Sequence, residues 1–188
     1  MKNITINYKV FSEKSGNKNI IVLSDLHNYT MKKKIDLVDS ILNNSPDLII
    51  IAGDTLQALK YSKGSLSQKK LKDFLHDISE FSPVVLGLGN HDLYGATEET
   101  ILGYKELENA RSGMVFPLNN ESIILGDTRI VEFHPRHDAF SPSIQERGNA
   151  LLQFEEDYEK SDFYVPKDEL FNIVICHNPK YCASSFNL

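Results

Sequence analysis

The sequence contains few cysteines and none of the patterns that cysteine-dependent folds need. Only two occur among its 188 residues, Cys176 and Cys182. Their number and spacing fit neither a disulfide framework nor a zinc motif. We interpret both as structural thiols in a reducing compartment, and we therefore expect the protein to be cytoplasmic.

Long apolar segments are also absent. No stretch approaches the ~18 consecutive apolar residues that a membrane-spanning helix requires. The first residues, Met1 to Ile6, do not begin the apolar core of a signal peptide. The sequence therefore predicts neither a secretion signal nor a membrane anchor.

An excess of positive charge is missing as well. The 20 basic residues are outnumbered by 26 acidic ones, so the net charge is −6, and the short basic runs at 32–34 and 69–70 do not form a large patch. Non-specific binding to a nucleic-acid backbone needs such a patch, and we do not expect it here. A phosphate group whose charge is neutralised by metal remains compatible with this composition.

The remaining composition is that of an ordinary globular domain. Hydrophobic residues make up 41% of the chain and charged residues 24%, which are typical values. A length of 188 residues is enough for one substantial core but short for two. We predict a single domain over residues 1–188.

The order of apolar segments predicts an α/β fold. Continuous apolar runs typical of buried strands occupy residues 20–24, 48–52 and 84–88. Apolar residues at helical spacing lie between them, over 32–44 and 68–81. These segments predict two crossover units, whose strands are parallel neighbours.

After residue 95 the pattern changes to antiparallel pairing. Two short strands flank Gly126-Asp127, which is a hairpin signal. We also expect helices over 96–110 and 144–160, strands over 4–10, 114–118 and 171–176, and polar loops over 57–67 and 134–143.

Polar residues with metal-binding chemistry follow four of the apolar runs. Because the carboxyl ends of parallel strands meet at one edge of a sheet, we expect these side chains to lie together. Carboxylate, amide and imidazole groups suit a borderline divalent metal. The set contains two aspartates, one asparagine and three histidines: Asp25, His27, Asp54, Asn90, His91 and His177.

Each of these residues alone has an ordinary structural explanation. An isolated Asp25 or Asp54 is more often a helix cap or a turn residue, and His177 alone is a strand-end histidine. Their joint occurrence at four strand ends favours a metal site. We interpret His134 and His137 as parts of a surface loop, because a proline separates them and the pattern places no carboxylate beside them.

The motifs Asp25-x-His27, Gly53-Asp54, Gly89-Asn90-His91-Asp92 and a later His177 occur in this order. They resemble the motif series of the calcineurin-like metallophosphoesterases. The resemblance implies two facing mixed β-sheets flanked by helices, in a four-layer sandwich. It also implies two divalent metal ions, of Mn, Fe or Zn, at the strand ends.

The resemblance further implies a role for each residue. Asp25 and His27 would bind the first metal, Asp54 would bridge both metals, and Asn90 and His177 would bind the second. His91 would contact the substrate rather than a metal. Asp92 would orient His91, which makes these two the expected catalytic residues.

The implied reaction is hydrolysis of a phosphomonoester or phosphodiester by a hydroxide that bridges the two metals. The substrate would be a phosphorylated small molecule or another phosphoester. The Gly-His-x-His segment that closes the family's motif series does not follow His177. We therefore expect that the C-terminal part of the domain is missing; the alternative is a catalytically impaired scaffold that acts as a protein-interaction module.

Overall fold

The computed structural model describes residues 8–12, 16–27, 34–110, 114–134 and 169–177. In these ranges the chain forms eight strands in two sheets, and four α-helices. None of the helices in the same ranges is long and apolar enough to cross a bilayer.

The first sheet contains five strands. Their order is β1 (Tyr8–Ser12), β2 (Gly16–Leu23), β3 (Leu48–Ala52), β4 (Val84–Gly87) and β5 (Val115–Pro117). Strand β1 pairs antiparallel with β2, whereas β2 to β5 are parallel. The predicted parallel units are therefore present, and the carboxyl ends of β2, β3 and β4 lie at the same edge.

Four helices lie in the connections between the parallel strands. They are α1 (Lys34–Leu42), α2 (Leu66–Ser79), the single turn α3 (Asn90–Leu93) and α4 (Glu98–Lys105). Helix α2 begins where the Ser65 side chain accepts a hydrogen bond from the Gln68 amide at 3.1 Å, which caps the first turn. It ends before Pro83, which cannot continue a helix.

The second sheet is smaller and also mixed. Strands β6 (Ser122–Leu125) and β7 (Thr128–Glu132) form the predicted antiparallel hairpin around Gly126, whose φ is +63°. Strand β8 (Phe171–Ile175) pairs with β7 in parallel. This pairing brings the last described segment of the chain beside the hairpin.

Alternate residues of the central strands enter two different cores. Ile49 and Ile51 of β3 pack with apolar residues of the helices, whereas Ile50 packs with Ile130 and Ile175 of the second sheet. This division follows from the alternation of side chains along a strand. It confirms the predicted α/β fold, in which two mixed sheets face each other and helices flank them.

The connection between β3 and α2 differs from the expected polar loop. It contains a 3₁₀ turn at Ala58–Tyr61, and Tyr61 is buried. The predicted helix over 144–160 and the first residues of the predicted strand over 4–10 lie outside the described ranges.

Cys176 is disulfide-bonded, so its interpretation as a free thiol is wrong. Cys182 lies outside the described part of the chain. Because disulfides are rare in a reducing cytosol, the cysteines no longer support a cytoplasmic location. That location stays a prediction.

Candidate metal centre

The backbone at the ends of β2 and β3 brings the first three candidate ligands together. The amide of Asp25 donates to the Gly53 carbonyl at 3.2 Å, and the amide of His27 donates to the Asp54 carbonyl at 2.9 Å. Asp25, His27 and Asp54 all have positive φ values, of 57°, 40° and 54°. Such conformations are strained for residues with a Cβ, and they cluster at functional sites.

The side chains form two groups that share Asp54. One group is His27, Asp54 and His91, and the other is Asp25, Asp54 and His177; within each group the potential ligand atoms lie within 4.8 Å of one another. A shared carboxylate between two clusters of this kind fits a pair of divalent cations, because both clusters offer carboxylate oxygen and imidazole nitrogen.

His27 and His177 lie close to the carboxylates of the site. His27 Nε2 lies 3.7 Å from an oxygen of Asp25 and 3.6 Å from an oxygen of Asp54. His177 Nε2 lies 3.3 Å from the same Asp54 oxygen. The rings of His27 and His91 meet edge to face, with their centroids 4.7 Å apart.

The hydrogen bond of His177 orients its ring. Nδ1 donates to the Ala52 carbonyl at 2.8 Å, so Nε2 faces Asp54. Metal-binding histidines in proteins commonly donate their second nitrogen to a carbonyl in this way. The hydrogen bond to Asp54 raises the pKa of His177 to about 9, with a further contribution from the Ala52 carbonyl.

Asp54 is the buried member of the site, with a side chain only 3% exposed, whereas the Asp25 side chain is 61% exposed. Burial opposes its ionisation, yet the pKa of Asp54 is held below the ordinary value by hydrogen bonds with His177 and with the amide of His91. A buried carboxylate that stays charged attracts cations. Because Asp54 lies between the two groups, it could attract a cation to either of them.

Asn90 lies between two residues that contact Asp54. The amide of His91 donates to Asp54 Oδ1 at 2.8 Å. A Cβ added at Gly89 would lie 2.2 Å from that same oxygen, so only glycine permits this approach. The fold therefore places Asn90 beside the site, while its assignment as a ligand stays a prediction.

Asp92 is buried and connects two of the site's loops. Its carboxylate accepts hydrogen bonds from the amides of Asp54 at 2.6 Å, Leu56 at 3.0 Å and Gly89 at 2.9 Å. It also accepts one from the Tyr61 hydroxyl at 2.6 Å. Burial raises the pKa of Asp92 despite these bonds. Its contacts hold the loops that carry Asp54 and Asn90, and the sequence alone did not identify Tyr61 as its partner.

His134 is buried, so its placement in a surface loop is wrong. Its Nε2 lies 2.9 Å from Asn119 Oδ1 and 3.9 Å from a carboxylate oxygen of Glu132, which is buried too. The sequence pattern did not reveal this carboxylate, which belongs to Glu132, the last residue of β7, two positions earlier in the chain. His137 lies outside the described residues.

Comparison with known proteins places these observations in a family. A crystal structure of the Pseudomonas putida nuclease MPE is 20% identical, with a TM-score of 0.38; the match covers 62% of this chain and 56% of that one. No curated protein was found to be significantly similar. The sequence model of the calcineurin-like phosphoesterases matches residues 18–187, which include all the candidate site residues. The chain belongs to the calcineurin-like phosphoesterase family.

Proposed function

We propose that this protein hydrolyses phosphomonoesters or phosphodiesters with two divalent cations, of Mn, Fe or Zn. The observation that carries the proposal is the buried carboxylate of Asp54, shared by two groups of potential ligands. Family membership supports the same chemistry. The substrate would be a phosphorylated small molecule or another phosphoester.

The ligands divide between the two proposed cations. Asp25 and His27 would hold the first, Asn90 and His177 the second, and Asp54 would hold both. When bound, such a pair supplies an acidified water molecule as nucleophile and neutralises charge on the phosphoryl group. The hydrogen bond of His177 to the Ala52 carbonyl keeps its Nε2 toward Asp54, as this role requires. The division itself follows the family resemblance, since the side-chain groups around Asp54 pair Asp25 with His177 and His27 with His91.

His91 and Asp92 would have different roles. The His91 ring is exposed next to His27, where it can stabilise a phosphate oxygen or protonate the leaving group. In the described part of the chain, the Asp92 carboxylate accepts hydrogen bonds from backbone amides and from Tyr61, and it does not bond to the His91 ring. We assign Asp92 as a positioning residue that keeps His91 and Asp54 in place through the backbone.

Activity and metal content test the proposal together. The purified chain is stripped of metal, reloaded with Mn²⁺, Fe²⁺ or Zn²⁺, and assayed on an aryl phosphate monoester and diester, with metal content measured by elemental analysis. We expect two equivalents of metal and turnover that depends on them. No bound metal and no hydrolysis with any of the three cations would favour the scaffold instead.

The role of His91 has a sharper test. We expect His91→Ala to keep both metal ions but to lower kcat by ~10²–10⁴-fold, the usual contribution of a positioned acid or base. His76→Ala is the matched control, because His76 lies on α2 and pairs with Glu80 away from the site. Loss of metal from His91→Ala would instead make His91 a ligand, as its grouping with His27 and Asp54 allows.

A further inference from the structure

Glu132 is an acidic residue in an apolar environment. It ends β7, is 0% exposed, and lies at the face where Ile130 and Ile175 pack against the first sheet. A buried carboxyl group costs free energy unless hydrogen bonds compensate for its lost hydration. An apolar side chain would avoid that cost, so the contacts of Glu132 must account for its presence.

The carboxyl group reaches from the second sheet to the loop that carries Asn90. One oxygen accepts a hydrogen bond from the amide of Leu88 at 3.3 Å, and the other accepts one from the amide of Asn120 at 2.7 Å. Leu88 is buried and is the first residue after β4, two positions before Asn90. Glu132 thus accepts a hydrogen bond from the point where β4 ends and the loop that carries Asn90 begins.

The same residue lies beside the strand that carries His177. Glu132 is the register partner of Ile175, which ends β8 two residues before His177. Gly87 makes the close approach of the sheets possible: a Cβ there would lie 2.8 Å from the Ile175 side chain and 3.1 Å from that of Glu132. The end of β4 and the ends of β7 and β8 are therefore packed against one another.

We propose that Glu132 is a positioning residue for the second metal site. This inference rests on the proposed function, which draws the ligands of that site from both sheets: Asn90 from the first and His177 from the second. Glu132 joins the two sheets at this point, through its bond to Leu88 and its pairing with Ile175. Asp25 and His27 follow β2, so the first metal site depends less on this contact.

Binding of Mn²⁺ to the full chain tests the inference. Glu132→Leu removes the acceptor but fills the space. We expect it to lower the affinity for the second of two Mn²⁺ ions by ~10–100-fold, as loss of a supporting hydrogen bond typically does. The first ion should bind unchanged. Glu132→Gln keeps one acceptor oxygen for the two amides that bond to Glu132, so it should weaken binding of the second ion less than Glu132→Leu does. Glu121→Gln removes a charge from an exposed neighbour and is the matched control.

Hydrogen exchange of the Leu88 amide is a second readout, and it needs neither metal nor activity. We expect faster exchange at Leu88 in Glu132→Leu and a smaller increase in Glu132→Gln, which keeps one acceptor oxygen. If Glu132→Leu does not fold, Glu132→Asp provides the same test, because its side chain is one carbon shorter. It should show faster exchange at Leu88 and a lower affinity for the second Mn²⁺ ion. Unchanged exchange at Leu88, or equal weakening of both ions, would overturn the inference. A wild type that binds two ions but cleaves no ester would contradict the proposed function alone.

Discussion

Replacement of Glu132 by glutamine should change how the protein's stability depends on pH. Burial raises the pKa of Glu132 from 4.5 to about 8, although the amides of Asn120 and Leu88 oppose this shift. The folded protein therefore keeps a proton that the unfolded chain loses above pH 4.5. By linkage, Glu132 makes the free energy of unfolding fall as pH rises between these two pKa values.

The size of this effect follows from the same two values. A pKa that rises from 4.5 to about 8 on folding corresponds to a loss on the order of 5 kcal/mol across that pH range, at ~1.4 kcal/mol for each pH unit. Lys105 acts against the shift and Glu121 adds to it, while Tyr104 and His134 are the other ionisable groups nearby. Because a small domain has a stability of ~5–15 kcal/mol, this loss is measurable.

Urea unfolding of the metal-free protein at about pH 5 and about pH 8.5 measures the effect. Glutamine carries no charge at either pH, so Glu132→Gln should lose several kcal/mol less than the wild type as the pH is raised. Other groups, including Asp54 and His177, titrate in both proteins and cancel in the comparison. Glu121→Gln should keep most of the wild-type dependence, because Glu121 is a minor cause of the raised pKa of Glu132. Equal losses in the wild type and in Glu132→Gln would refute the reasoning, because Glu132 would then be charged in the folded protein.

Two further substitutions test the packing around the metal loops. Gly89→Ala should lower metal affinity and stability, since its Cβ would lie 2.2 Å from a carboxylate oxygen of Asp54. Gly95→Ala is the control: a Cβ there meets nothing within 4 Å, so it should cost only the ~1 kcal/mol strain of a positive φ. Mn²⁺ titrations and thermal melts compare the two variants. Tyr61→Phe removes one of four donors to buried Asp92 and should lower the free energy of unfolding by ~1–3 kcal/mol in urea. An unchanged free energy would mean that Asp92 does not need this hydroxyl.

The strand ends could be predicted from the sequence because the pattern there is local. Each buried strand is a short apolar run, and the residues that follow it must emerge at the edge of a parallel sheet. This reasoning located Asp25, His27, Asp54 and His177, which the structure brings together. The order of the motifs added the family, and with it the facing sheets.

The supporting contacts could not be predicted in the same way, because they join distant parts of the chain. Tyr61 bonds to Asp92 across 31 positions, and Glu132 bonds to Leu88 across 44. The polar segment around Tyr61 favoured an exposed loop, yet the packing of the metal loops buries it. One local signal did exist for Glu132: strand alternation from Ile130 points its side chain inward, to a position where a charge is unusual.

Strand β7 is attached to the first sheet at both of its ends. At its start, Lys18 of β2 donates to Thr128 at 2.7 Å and pairs with Asp127; at its end, Glu132 accepts from Leu88. Thr128 is buried, but Lys18 and Asp127 are partly exposed, so water and salt can replace their ion pair at little cost. The hydrogen bond from Leu88 to Glu132 is buried, so water cannot replace it. If it is broken, each buried group that loses its partner keeps its full desolvation penalty. The relative position of the two sheets is therefore fixed most firmly at the end where the candidate metal ligands meet.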